Sequence, residues 1–179
     1  MLLSNTILDM LQNQLAHEYT NQSKYRNVQA YFSALNLEGF YKYFEEQAKG
    51  EYKHYEHIIS YLDQKNAPYK INVEALEPIE FNNVNDIVDF YYNTEIGTTQ
   101  LLYAIAKQAK AEGDEGTVSW LYDTTIGDTN LSLINEQVEE EDAALILKQK
   151  VLDGLGDSEQ LNGQWIRQVD KMLLEQLEG

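Results

Sequence analysis

The segment "GEYKHYEH" (50–57) sets Glu51 and His54 three residues apart, on one face of a helix and within reach of each other. They lie in a series spaced by alternating threes and fours: Phe40, Phe44, Gln47, Glu51, His54, Ile58 and Tyr61. Such spacing marks the buried seam of a helical bundle. Glu18 interrupts a second seam running from Leu8 to Phe32, Glu95 a third from Val84 to Ala109, and Glu140 a fourth from Leu133 to Val151. A one-residue shift of register on the fourth would exchange Glu141 for Glu140. An ionised carboxylate buried without a partner costs several kcal/mol or takes up a proton, and several together repel. Cations remove both difficulties, and carboxylate oxygens with one imidazole suit Fe, Mn or Zn. Taken alone, Glu51 and His54 read better as an exposed pair on a surface helix. The glutamates of the other seams turn the reading towards a metal site.

Holding these groups together requires long helices. Pro68 and Pro78 are the chain's two prolines, and the helix-compatible stretches on either side contain none. The spacing predicts helices over about 5–36, 39–65, 85–112, 115–152 and 158–177. Asn85 or Asp86 would cap the third, and Asp157 or Ser158 the fifth. The short links within the first two and the next two helices make antiparallel hairpins. The linker at 66–83 is long enough to run from one end of a bundle to the other. The fold expected is all-α and a single domain over 1–179: a four-helix bundle with one long crossover, the ferritin-like topology, plus a short fifth helix. Glu18 precedes the first turn by about as many residues as Glu51 and His54 follow it, so the three share a level.

The second hairpin is lopsided. Glu95 lies about eighteen residues before Gly113 and Glu140 about twenty-seven after it. In straight helices they would miss by roughly 15 Å. Some ten residues are therefore expected to form a loop, a short extra helix or a kink, and "YDTTIGDTNLSL" (122–133) is the place for it.

Thirty acidic against thirteen basic residues give a net charge of −17, which opposes binding to nucleic acid or anionic lipid and favours metal cations. With no cysteine there is no disulfide and no thiolate zinc site, in keeping with a cytoplasmic protein. The amino-terminal apolar run is broken by Ser4, Asn5 and Asp9, which fits neither a signal peptide nor a membrane span.

The chain resembles the bacterial non-haem ferritins over nearly its whole length. The resemblance is carried by "LAHEYTNQSKY" (15–25), "LEGFYKYFEEQAKGEYKHYEHIISYL" (37–62), Glu95 and "INEQVEEED" (134–142). It implies a homo-oligomeric 24-subunit cage that oxidises Fe(II) with dioxygen or hydrogen peroxide at a di-iron centre and stores ferric mineral. Glu18, Glu51 and His54 would hold the first iron. Glu51 would bridge to the second, held also by Glu95 and Glu140 with Gln137 nearby. Tyr25 either hydrogen-bonds a ligand or fills the core. No histidine follows Glu140 at the third position, where Ala143 stands. Tyr52 occupies the place of the haem-ligating methionine of bacterioferritins, so no haem is expected.

Two departures from the family stand out. Gly50 replaces a glutamate that contributes to a third iron site, leaving Glu136 and Glu139 of its usual set. The extension near 122–133 displaces Trp120, which is assigned no role. His17 and His57 are expected at the surface. The apolar face of the fifth helix (Leu161, Trp165, Val169, Met172, Leu173) serves either a cage axis or its own bundle. A smaller di-iron oxidoreductase, and a binding bundle with a vestigial metal site, remain alternatives.

Overall fold

A computed structural model describes residues 2–73, 75–77, 79–154 and 162–178. The first helix, α1 (Asn5–Ala34), starts where Ser4 Oγ accepts the Ile7 N–H at 3.1 Å, satisfying one of the free donors of the first turn. A tight turn through Asn36 leads to α2 (Glu38–Gln64), antiparallel to it. After the crossover, α3 (Val84–Glu112) is capped by Asn83, whose side chain accepts the Asp86 N–H at 3.0 Å. The sequence pointed to Asn85 or Asp86 instead. Asp86 is drawn away because its carboxylate accepts from the backbone and side-chain N–H groups of Asn82, each at 3.0 Å.

Gly113 closes α3 in the left-handed region at φ 71°, where glycine has no Cβ penalty. Asp114 then caps α4 (Glu115–Asp123), accepting the Thr117 N–H at 3.1 Å. Residues 124–132 leave the helix, fastened by a bridge between Thr125 and Ser132, before α5 (Leu133–Leu152) begins. A short helix plus a non-helical segment thus absorbs the surplus length, and Glu140 is brought to the level of Glu95. Among the described residues no helix is long and apolar enough to cross a membrane.

The bundle packs α1 on α2 and α3 on α5, with two separate apolar clusters. One holds Tyr25, Val28, Phe32, Phe40, Phe44 and Tyr91; the other holds Ile7, Leu11, Leu15, Ile58, Leu62 and Leu102. Glu18, Glu51, His54 and Glu95 occupy the seam positions between them and are fully or almost fully buried.

The last helix, α6 (Gly163–Glu178), folds back on its own bundle. Ile166, Val169 and Leu173 are buried in the first cluster, whereas Met172, expected on this face, is 39% exposed. Leu37 gives α2 no side-chain cap, and the Phe40 N–H instead donates to Asp170 Oδ1 of α6 at 2.9 Å. Trp165 Nε1 donates to the Lys150 carbonyl at 2.8 Å. The expected start of this helix near 158, its caps Asp157 and Ser158, and Leu161 lie outside the described residues.

The approach of α6 is close enough to need glycine. A Cβ at Gly39 would sit 1.8 Å from the Asp170 carbonyl oxygen, so Gly39→Ala must push α6 off the bundle. Overpacking of this kind costs about 1–3 kcal/mol, so the thermal midpoint should fall by several degrees. Gly97→Ala, where nothing lies within 4 Å, should hold or raise it. Equal midpoints for the two variants in a thermal melt would show that the α6 contact contributes nothing to stability.

Candidate metal centre

Each helix of the bundle contributes to one polar layer. Glu18 comes from α1, Glu51 and His54 from adjacent turns of α2, Glu95 from α3, and Glu136, Gln137 and Glu140 from α5. His54 is completely buried at the middle. Its Nδ1 lies 3.9 Å from both Glu18 Oε2 and Glu51 Oε2. Its Nε2 lies 3.8 Å from both Glu136 Oε2 and Glu140 Oε1. Two groups of donors result, Glu18–Glu51–His54 and His54–Glu136–Glu140, each with its ligand atoms within 4.8 Å of one another. On α5, Glu140 turns to His54, while Glu141 accepts the Thr99 hydroxyl at 2.8 Å.

Part of the layer is tied down. Gln14 Nε2 donates to Glu18 Oε1 at 2.6 Å. Both oxygens of Glu95 are engaged: Oε1 accepts the Tyr25 hydroxyl, and Oε2 accepts Gln137 Nε2 at 2.8 Å. Tyr25 is therefore a buried hydrogen-bond partner of a layer carboxylate as well as part of the apolar packing. The rest is open. Glu18 Oε2, Glu51 Oε2, both nitrogens of His54, Glu136 Oε2, Gln137 Oε1 and Glu140 Oε2 are buried with no hydrogen-bond partner. Orphaned polar atoms are rare and costly in a native interior. Here they are oxygens and an imidazole facing one another, a donor set suited to Fe, Mn or Zn.

The electrostatics agree. Burial, then the charges of Glu18 and Glu95, push Glu51 well above the usual carboxylate range. Burial raises Glu140 to about 8, with Glu95 and Glu136 adding to the shift and His54 opposing it. Burial alone would lower His54, but Glu140 and the other carboxylates around it outweigh that and push it up to about 10. Burial raises Glu95, while its bonds from Tyr25 and Gln137 pull it back. The layer thus holds protons at sites where a cation could replace them.

Some sequence readings change. Glu139 is exposed and lies outside both donor groups. His17 is half-buried, its Nε2 2.9 Å from Thr98 Oγ1. His57 is half-buried too, stacked on Trp120 with ring centroids 5.1 Å apart. Neither is a surface residue, because the α1–α3 contact covers one and α4 the other. Trp120 also stacks on Tyr61 at 4.1 Å, which gives it a packing role. Gly50 faces α5, and a Cβ there would meet Glu140 Oε1 at 3.4 Å. Two polar members of the layer's surroundings were not singled out from the sequence. Gln14 sits one turn before Glu18, a spacing that could have signalled it, whereas Asn21 bonds across to Thr98 at 3.2 Å and gave no local sign.

The pKa shifts set a pH dependence for the metal-free protein. A folded-state pKa raised above the unfolded value stabilises fully below the unfolded value and loses that contribution as pH climbs through the folded one. Glu140 loses its share between about 4.5 and about 8, and His54 between about 6.5 and about 10. Both signs agree, so the metal-free thermal midpoint should fall steadily from about pH 5 to about pH 9. Saturating Mn(II) or Zn(II) should flatten the slope by replacing the protons. A metal-free profile that is flat or rising would contradict the buried, proton-holding layer.

Known proteins bear on this arrangement. The sequence model of the ferritin-like domain matches residues 8–145. The chain is 28% identical over 140 residues to a bacterial non-heme ferritin of Staphylococcus aureus, covering 78% of this chain and 79% of that one. A bacterial non-heme ferritin of Staphylococcus haemolyticus is 26% identical over the same shares. An open pore ferritin from Archaeoglobus fulgidus superposes with a TM-score of 0.81 at 22% identity, over 97% of this chain and 98% of that chain. A humanized archaeal ferritin superposes at 0.79 and 21% identity, over 96% and 95%. Most of the chain falls within the matched domain, four helices bury a Glu/His layer at its middle, and the protein belongs to the ferritin family.

Proposed function

We propose that the protein is an iron-storing ferroxidase: it oxidises Fe(II) within the subunit and keeps the ferric product inside a multi-subunit cage. The observation that carries this reading is the set of buried, unpartnered donors on Glu18, Glu51, His54 and Glu140. Iron here is substrate and cargo. Glu18, Glu51 and His54 would receive the first Fe(II). Glu51, Glu95 and Glu140 would receive the second, with Gln137 orienting Glu95 as its hydrogen bond does now. Glu95 would have to loosen its present bonds to serve, so Tyr25 and Gln137 set how readily the second position fills.

Two Fe(II) ions give two electrons to dioxygen, which takes up two protons to become hydrogen peroxide. Peroxide itself can accept the next pair and leave as water. The protons held on Glu51, Glu140 and His54 leave as the cations arrive, so the layer's charge changes little on filling. The family resemblance supports a homo-oligomeric cage of 24 subunits and a cytoplasmic location, with no haem. A smaller di-iron oxidoreductase that stores nothing is the second reading. The specific observation favouring it is that α6 packs on its own bundle, so its apolar face does not by itself require a cage axis.

Rapid aerobic mixing of Fe(II) with metal-free protein should give a fast oxidation phase that saturates near two irons per chain. Glu51→Ala and His54→Ala should fall to the protein-free rate, and Tyr25→Phe should slow the phase without changing the stoichiometry. Wild-type oxidation no faster than the buffer control would overturn the ferroxidase reading. Size-exclusion mass then separates a cage from a dimer.

A further inference from the structure

Carboxylates flank His54 on both sides: Glu18 and Glu51 at 3.9 Å from Nδ1, Glu136 and Glu140 at 3.8 Å from Nε2. Neither nitrogen makes a hydrogen bond, and the ring is fully buried. A neutral imidazole has one lone pair, so it ligates a cation through one nitrogen and presents N–H on the other. A ligating histidine almost always gives that N–H to a carboxylate, carbonyl or water, which fixes its tautomer and ring plane.

The two sides of the ring are not equivalent. On the Nδ1 side, Glu18 and Glu51 are buried almost completely and each has an unpartnered oxygen. On the Nε2 side, Glu136 and Glu140 keep some exposure, with side chains 17% and 18% accessible. Gly50, which faces Glu140 Oε1 there, adds no third carboxylate. That side also forms a group of three donors, but with Glu140 given to the second cation it leaves one carboxylate, Glu136, facing Nε2.

We propose that Glu136 is a positioning residue. Its carboxylate accepts the Nε2–H of His54 and so keeps the Nδ1 lone pair aimed between Glu18 and Glu51, where a first-row divalent cation binds. The assignment rests on the metal reading above, which already gives Glu140 to the second cation and leaves Glu136 as the free acceptor. Glu136 Oε2 is buried and has no other hydrogen-bond partner.

The test uses Co(II), a cation with a visible ligand-field spectrum, titrated into the metal-free protein. Removing an outer-shell partner of a ligating histidine weakens metal binding by about 10–100-fold. Glu136→Leu should show that loss at the tightest site with the same number of cobalt ions per chain at saturation. Glu136→Gln, which still offers an amide oxygen, should bind cobalt nearly as tightly as wild type. In the zinc-loaded wild type, the ¹⁵N spectrum of His54 should place the proton on Nε2.

One cobalt fewer per chain in both variants would make Glu136 a cation ligand in its own right and overturn the proposal. Unchanged affinity in Glu136→Leu, or a proton on Nδ1 in the zinc form, would overturn it as well. If Glu136→Leu does not fold, the glutamine variant and the ¹⁵N spectrum decide. Wild-type protein that binds no cobalt would overturn the metal reading and this proposal with it, a failure seen without any variant.

Discussion

Everything in this fold answers to the cost of burying several carboxylates in one place. One apolar cluster fills each end of the bundle, and the chain separates them with Glu18, Glu51, Glu95 and His54. Without a cation that layer is tolerated only because protons neutralise it. The raised pKa of Glu51, Glu140 and His54 records this. In such a layer, the free energy lost in holding unpartnered oxygens would be recovered on binding a cation.

The scaffolding around the layer is graded. Glu95 is held by two side-chain donors, Glu18 by one, and Glu51 by no hydrogen bond to its Oε2. Tightly held carboxylates define geometry, while loosely held ones are free to move. The aromatic cluster supports the rigid part: Tyr25 packs edge-on to Tyr91 at 5.4 Å, which fixes the hydroxyl that Glu95 accepts. The break between α4 and α5 serves the same end from the opposite side, since it sets the height at which Glu140 meets His54.

Much of this was legible in the sequence because bundle seams have a strict period. Glu18, Glu51, His54 and Glu95 fall on seams that are apolar towards their ends, and four such seams together point these residues inward. On α5 the period left Glu140 and Glu141 undecided, since both lie near the seam, and only packing against Thr99 separates them. Contacts between distant segments were not legible. The stack of His57 on Trp120 depends on where α4 comes to rest, and the cap that Asp170 gives α2 depends on α6 crossing at Gly39. Periodicity fixes which face of a helix is buried, but not which neighbour covers it.

That borrowed cap has a consequence for how the molecule is made. The helix bearing Glu51 and His54 leaves the ribosome long before Asp170 does, so its amino-terminal turn is born incomplete. Until α6 emerges and docks, Phe40 and its neighbours in the first cluster lack one wall. Closure of the first apolar cluster is therefore a late event in the life of the nascent chain. A subunit whose synthesis stopped before α6 would carry every residue of the polar layer and still lack the helix that closes the first apolar cluster.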